Sequence, residues 1–299
     1  MARKFNASQY KSKMRQQINK VNREINKVNR EINNYNRAVD KGNRELKQAV
    51  NKYNQAVRQH NSKVLQNRSR IKAELRRLSS SSNSNVATYK ASVLAVNSSY
   101  QTVANKFDYL EAPTQFQEYV YSGIEQENAN NLETANVVID DLQSEMLSYS
   151  LQETNIMNRL SLISKDLDDR WRGALFSLNP ANPDATRHFC TSAREIFAEI
   201  FDSKAKDEDV FAIFPNCDKT DRGNATRKSK ISYFLNRKGI SDNDVEDFIE
   251  KDMQNILELF HILSSGTHGE AGKYTFAKLA TIKRRVEDGL IFLCDIATE

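Results

Sequence analysis

The segment Ser264-Ser-Gly-Thr-His-Gly-Glu-Ala-Gly-Lys-Tyr-Thr275 is the stretch of this 299-residue chain that most resembles a site of chemistry. His268 sits among glycines, which let backbone and substrate approach closely, and its imidazole titrates near neutral pH. A metal-independent ribonuclease needs a group that takes the 2′-hydroxyl proton and a cation that stabilises the phosphorane; a His and an Arg on adjacent helix ends supply both. His268 is therefore the candidate general acid/base, and Arg194, on the polar stripe of a predicted helix, is its candidate phosphate partner. Arg187, Arg227, Lys228, Lys230, Arg284 and Arg285 are the further candidate nucleic-acid contacts. The competing reading is an ordinary connector carrying a solvated histidine.

A nucleotide phosphate loop is rejected on spacing. Gly266 stands too far from Gly272-Lys273 and Gly269 too near, Tyr274 replaces the hydroxyl that would bind Mg²⁺, and a helix precedes the loop where a strand is required. Cys190, Cys217 and Cys294 are scattered, with neither metal-ligand spacing nor a disulfide framework, and read as reduced, mostly buried thiols. Neither a metal nor a cofactor is expected.

The elements that must hold these groups are helical. Only 9 Gly and 4 Pro interrupt the chain, which argues against an all-β fold and against Gly-loop nucleotide enzymes. Beyond Asn179-Pro-Ala-Asn-Pro-Asp184, a strong break, the pattern predicts helices over 184–203, 227–237, 242–264 and 275–297. The first puts Phe189, Ala193, Ile196, Phe197, Ile200 and Phe201 on its apolar face and Arg187, Thr191 and Arg194 on the opposite stripe. The third begins after Ser241, with Asp244 three residues on as an approximate capping box. Val210–Phe214 is either a short strand or a helical turn.

Residues 1–78 differ in kind. Ile18-Asn-Lys-Val-Asn-Arg-Glu24 repeats unchanged over 25–31 and degenerately to Glu45, so Ile18, Val21, Ile25, Val28, Ile32, Tyr35 and Val39 form an a/d seam. A step of four from Leu46 to Val50 is a stutter, after which the seam continues through Tyr53, Val57, His60, Val64, Asn67 and Ile71. Seventy helical residues would run about 105 Å. A Ser-rich stretch, 79–84, reads as a reversal. Segments 86–111 and 114–178 follow, separated by Pro113, with Thr114 as N-cap and a second seam from Leu132 to Leu167. The expected architecture is all-α: an antiparallel coiled-coil hairpin over 1–178, with helices 8–78, 86–111 and 114–178, and a small helical domain over 179–299. A parallel dimer through the first helix is the competing arrangement.

Charge follows the same division. Residues 1–78 carry 21 Lys and Arg against 5 Asp and Glu, a net of +16; residues 79–178 carry −7 and residues 179–299 carry −4. Either the basic helix pairs with the acidic return arm or it touches nucleic acid. The longest apolar run, Leu290–Cys294, is far too short to span a membrane, and the N-terminus reads as no secretory signal, so a cytoplasmic protein without membrane contact is expected.

Three short stretches carry a resemblance: Arg187-His-Phe-Cys-Thr-Ser-Ala-Arg-Glu-Ile-Phe197, Thr226-Arg-Lys-Ser-Lys-Ile-Ser-Tyr233 and Leu263-Ser-Ser-Gly-Thr-His-Gly269. Together they resemble the predicted pPIWI-associating nucleases of bacterial conflict systems, and the four-helix layout of 179–299 is similar to HEPN domains. The resemblance implies an RNase effector acting on RNA, in antiphage defence or as a toxin. It carries over only His268 as a site residue, because HEPN ribonucleases place an Arg four to six residues before the His and His261-Ile-Leu-Ser-Ser-Gly-Thr267 has none. The Arg must then come from another helix. The expectation is a conflict-system protein whose coiled coil senses, docks or self-associates and whose C-terminal domain is a possible metal-independent endoribonuclease. The alternative is a non-enzymatic scaffold whose C-terminal domain binds a protein or nucleic acid.

Overall fold

The computed structural model describes residues 7–80, 87–111, 113–140, 151–179, 181–265 and 275–298. Helices α1 (Ala7–Ser80), α2 (Ala87–Asp108), α3 (Gln115–Asp140), α4 (Met157–Ile163), α5 (Lys165–Ser177), α6 (Ala185–Lys204), α7 (Asp207–Ile213), α8 (Arg227–Arg237), α9 (Asn243–Ser265) and α10 (Phe276–Ala297) follow in order. Among the described residues the β-structure is one isolated bridge, Lys219 to Ala225. The protein is all-α, as the low Gly and Pro content requires.

The termini show why these segments are helical. Thr114 and Gln117 form a reciprocal capping box: the Gln117 N–H donates to Thr114 Oγ1 at 3.2 Å and the Thr114 N–H donates to Gln117 Oε1 at 2.8 Å. Thr226 and Thr275 cap α8 and α10 by accepting from the Ser229 and Lys278 N–H groups. Gly239, at φ +73°, closes α8: its N–H donates to Asn236 O while the Ile240 N–H donates to Leu235 O. The α9 cap is Asp242 rather than Ser241; its carboxylate accepts from the Asp244 N–H at 2.9 Å. Val210–Phe214 resolves as the end of α7 and the residue after it.

Two compact units divide the chain, residues 1–63 and residues 64–299. The first is the N-terminal part of α1. Its seam residues, among them Ile18, Ile25, Ile32 and Val57, are exposed.

In the second unit α2 packs on α9, α3 on α10, α5 on α6, and α6 and α8 on α9. Here the helix bounds expected over 114–178 differ. Residues 114–178 are not one return arm, because α3, α4 and α5 are separate helices. The turn before α4 is pinned by Glu287, whose carboxylate accepts from the Asn155 N–H at 2.8 Å, and Ser164 recaps the chain into α5. The apolar faces of α2 and α3 are committed to the C-terminal helices. Tyr89, Val93, Val96, Tyr100 and Val103 of α2 are buried in a single core with Phe248, Ile256 and Leu290. The reversal expected at 79–84 falls largely outside the described residues; within α1, Arg68 grips Asp108 at the end of α2 and Glu125 of α3.

The expected boundary at 178–179 falls inside the second unit. Trp171 and Phe189, on either side of it, meet as a tilted ring pair with centroids 5.6 Å apart, so α5 and α6 pack directly on each other.

An unusual layer runs through this core. Arg285 is 1 % exposed and donates to Glu127 and to Asp252, each at 2.5 Å. Asn128, Asn131, Thr134 and Asn136 of α3 are also buried, Asn128 donating to Asn97 and Asn136 to Glu74. Burial holds the Glu127 carboxyl well above its ordinary range, against the pull of Arg285.

Candidate functional site

Three helices converge on a cleft of about 420 Å³. Helix α6 contributes Arg194, Phe197, Ala198 and Phe201; α9 contributes Met253, Gln254, Leu257, Glu258 and His261; α8 contributes Arg227 at its first position. The placement follows from helical spacing. Phe189, Ala193, Ile196 and Ile200 are fully buried, which turns the opposite stripe of Arg187, Thr191 and Arg194 outward. On α9, Gln254, Glu258 and His261 stand at i, i+4 and i+7 and face that stripe across the cleft.

The cleft is lined by two arginines and one carboxylate, Glu258. Among the described residues neither Arg194 nor Arg227 forms a salt bridge. Arg227 donates to Gln254 Oε1 at 3.4 Å, and burial lowers its guanidinium pKa, offset by Glu250. The first turn of α8 adds the positive end of its dipole. A half-buried guanidinium without a carboxylate partner gains by meeting an anion.

Arg187 lies elsewhere. With His188 it lines a larger cleft of about 1250 Å³, shared with Phe176, Asn182, Ser192 and Phe276. Both side chains converge on one carboxylate: Arg187 Nε donates to Asp184 Oδ2 at 2.9 Å and His188 Nε2 lies 3.1 Å from the same oxygen. Asp184 thus pairs with Arg187, whereas among the described residues Arg194 and Arg227 in the smaller cleft form no salt bridge.

Other candidate cations are structural. Arg285 is locked in the buried layer and cannot reach a nucleic acid. Arg284 pairs with Glu133 at 2.5 Å. Lys230 is buried between Asp202, 2.7 Å away, and Asp207, 3.6 Å away, tying α8 to α6 and α7. Lys228 stands 3.9 Å from Glu250 at the rim of the bundle. Lys230, Arg284 and Arg285, expected to contact nucleic acid, each pair with a carboxylate of a neighbouring helix.

His268 lies outside the described residues, so its distance to Arg194 is not part of this geometry. The described residues that flank its segment are informative: His261 lines the smaller cleft and Phe276 the larger. Reading from the sequence passed over His261 and Glu258; their i, i+3 spacing on the polar stripe of α9 was the available signal.

Cys190 and Cys294 are buried, and burial pushes each thiol up to about 12. Among the described residues no group of three or more His, Cys, Asp or Glu is placed to hold a metal ion, and no helix is long and apolar enough to cross a membrane.

Neither a curated protein nor a solved structure matches this chain. A family does match, and its span takes in α5 to α9 and the whole cleft: residues 160–293 match the family described as predicted pPIWI-associating nuclease, which makes the C-terminal part of this protein similar to a nuclease domain.

Proposed function

We propose that residues 160–293 form an RNase effector module and that the cleft between α6, α8 and α9 is where it takes a phosphodiester. The observation that carries this reading is the convergence of Arg194 and Arg227, both without carboxylate partners, on one cleft with His261. The match to a nuclease family over the same residues supports it.

In this reading the two guanidiniums bind the non-bridging oxygens of the scissile phosphate and stabilise the extra negative charge of the phosphorane. A histidine takes the proton of the 2′-hydroxyl as that oxygen attacks phosphorus, and an acid returns a proton to the departing 5′-oxygen. The products are a 2′,3′-cyclic phosphate and a free 5′-hydroxyl. His268 is the first candidate for the base; His261, in the cleft itself, is the second. Arg187, two helical turns before Arg194 on the same stripe, extends the track for the neighbouring phosphate, since displacing a surface pair such as Arg187–Asp184 costs only about 0–1 kcal/mol.

The biological setting proposed is a bacterial conflict system in the cytoplasm, with RNA as substrate.

Cleavage of end-labelled RNA by the purified chain tests this. Arg194→Ala and Arg227→Ala are each expected to lower the rate about 10²–10³-fold with unchanged thermal stability, and loss of the acid/base histidine about 10²–10⁴-fold. Comparing His261→Ala with His268→Ala identifies the base. A 2′-deoxy nucleotide at the scissile position should stop the reaction. Full cleavage by both arginine variants would sink the site. Binding of RNA without cleavage by the wild type would favour the scaffold reading.

A further inference from the structure

We infer that the N-terminal part of α1 is an interface for a second copy of this chain, the two helices running parallel and in register. The inference stands independently of the nuclease reading.

Two observations lead to it. The apolar row on α1 is exposed from Ile18 to Val57: Ile18, Ile25 and Ile32 are 50–52 % exposed, and Leu46 is 65 % exposed. A 3-4 row of this kind is worth little to a single helix, and most helical stability comes from covering such a face. The acidic helices that could have covered it are already spent, because the apolar faces of α2 and α3 are buried in the core with α9 and α10.

Charge and amide placement beside the seam choose the occupant. With Ile18, Ile25 and Ile32 at a, one flank of the seam carries Asn22, Asn29, Asn36 and Asn43 at e, and the other carries Glu24, Glu31 and Glu45 at g. In a parallel pair in register, g of one helix meets e of the next heptad on the other, so Glu24 faces Asn29 and Glu31 faces Asn36 of the second copy. Each contact is a carboxylate accepting from an amide. In an antiparallel pair g meets g, and Glu would face Glu. The basic residues of the repeat, Lys20, Arg23, Lys27 and Arg30, fall at c and f, on the side away from the partner. They leave the seam to apolar contact and place the surplus positive charge outside it.

That arrangement gives a sign opposite to nucleic-acid binding. Two basic helices side by side repel, and salt screens the repulsion over about 8 Å at physiological ionic strength. Self-association should therefore tighten as salt rises, whereas binding of a polyanion loses affinity through counterion release.

Sedimentation of the full-length chain at micromolar concentration, at low and at moderate salt, is the first test. The expected result is twice the chain mass, favoured by salt. Introducing Met14→Cys at a d position of a Cys217→Ser chain should give an interchain disulfide on oxidation, because only a parallel, registered pair brings the two positions together. Ile25→Lys with Ile32→Lys should return the chain to monomer while the melting of residues 64–299 stays unchanged. A wild-type monomer at both salt concentrations, association that requires nucleic acid, or a multimer that fails to cross-link through residue 14 would each overturn the inference.

Discussion

Helices α1 and α3 are both rich in asparagine, and they use it in opposite ways. Helix α1 repeats Asn beside an apolar seam and leaves the seam exposed between Ile18 and Val57. Helix α3 buries Asn128, Asn131 and Asn136 and sets Glu127 against the fully enclosed Arg285. One helix displays what a core normally hides, and the other hides what a surface normally displays. Amphipathic pattern determines which face is apolar; whether that face finds a cover depends on what the rest of the chain has left uncommitted.

Breaking the buried layer should produce the largest effect. Arg285→Met leaves Glu127 and Asp252 buried without their counter-charge and should cost about 3–5 kcal/mol, read as a fall in the urea midpoint. Replacing all three residues with apolar side chains of similar volume should recover most of that loss, whereas a substitution in the exposed seam should leave the midpoint of residues 64–299 where it was.

The same layer should give the protein an unusual pH response. Burial pushes the Asp288 carboxyl from 3.8 up to about 6, against Arg284 and Arg285, with Glu287 adding to the rise and Asn130 donating to it at 2.8 Å. A carboxyl that holds its proton more tightly when folded contributes stability at low pH that is lost as pH rises through its folded value. Stability from this group should therefore fall between pH 3.8 and about 6, and Asp288→Asn should flatten that part of the profile. A profile unchanged by the substitution would show that Asp288 does not titrate there.

Two glycines sharpen the contrast at smaller scale. A Cβ at Gly123 of α3 would stand 2.7 Å from Cε2 of Phe292, a ring held in the core, so Gly123→Ala should cost about 1–3 kcal/mol. Gly42 of α1 has open space around it, and Gly42→Ala should raise helicity and stabilise α1 by about 1 kcal/mol, read by circular dichroism on heating. If Gly42→Ala instead disrupts the helix, something covers that position in solution with no room for a methyl group.

Local chemistry determined much of this protein. The heptads made α1 a helix, Thr114, Thr226 and Thr275 set three helix starts, and the stripe of α6 oriented Arg194 before any packing was known. These are properties of neighbours along the chain, within reach of 3.6-residue geometry. Tertiary structure alone decided the partners. An a/d row cannot name the surface that covers it, so pairing of α2 with α9 and of α3 with α10 was beyond reading, and so was the break of the expected return arm at Thr154 and Ser164. The same holds for charge: Arg285 and Arg194 look alike as residues, and only the fold gives one two buried carboxylates and leaves the other free in a cleft.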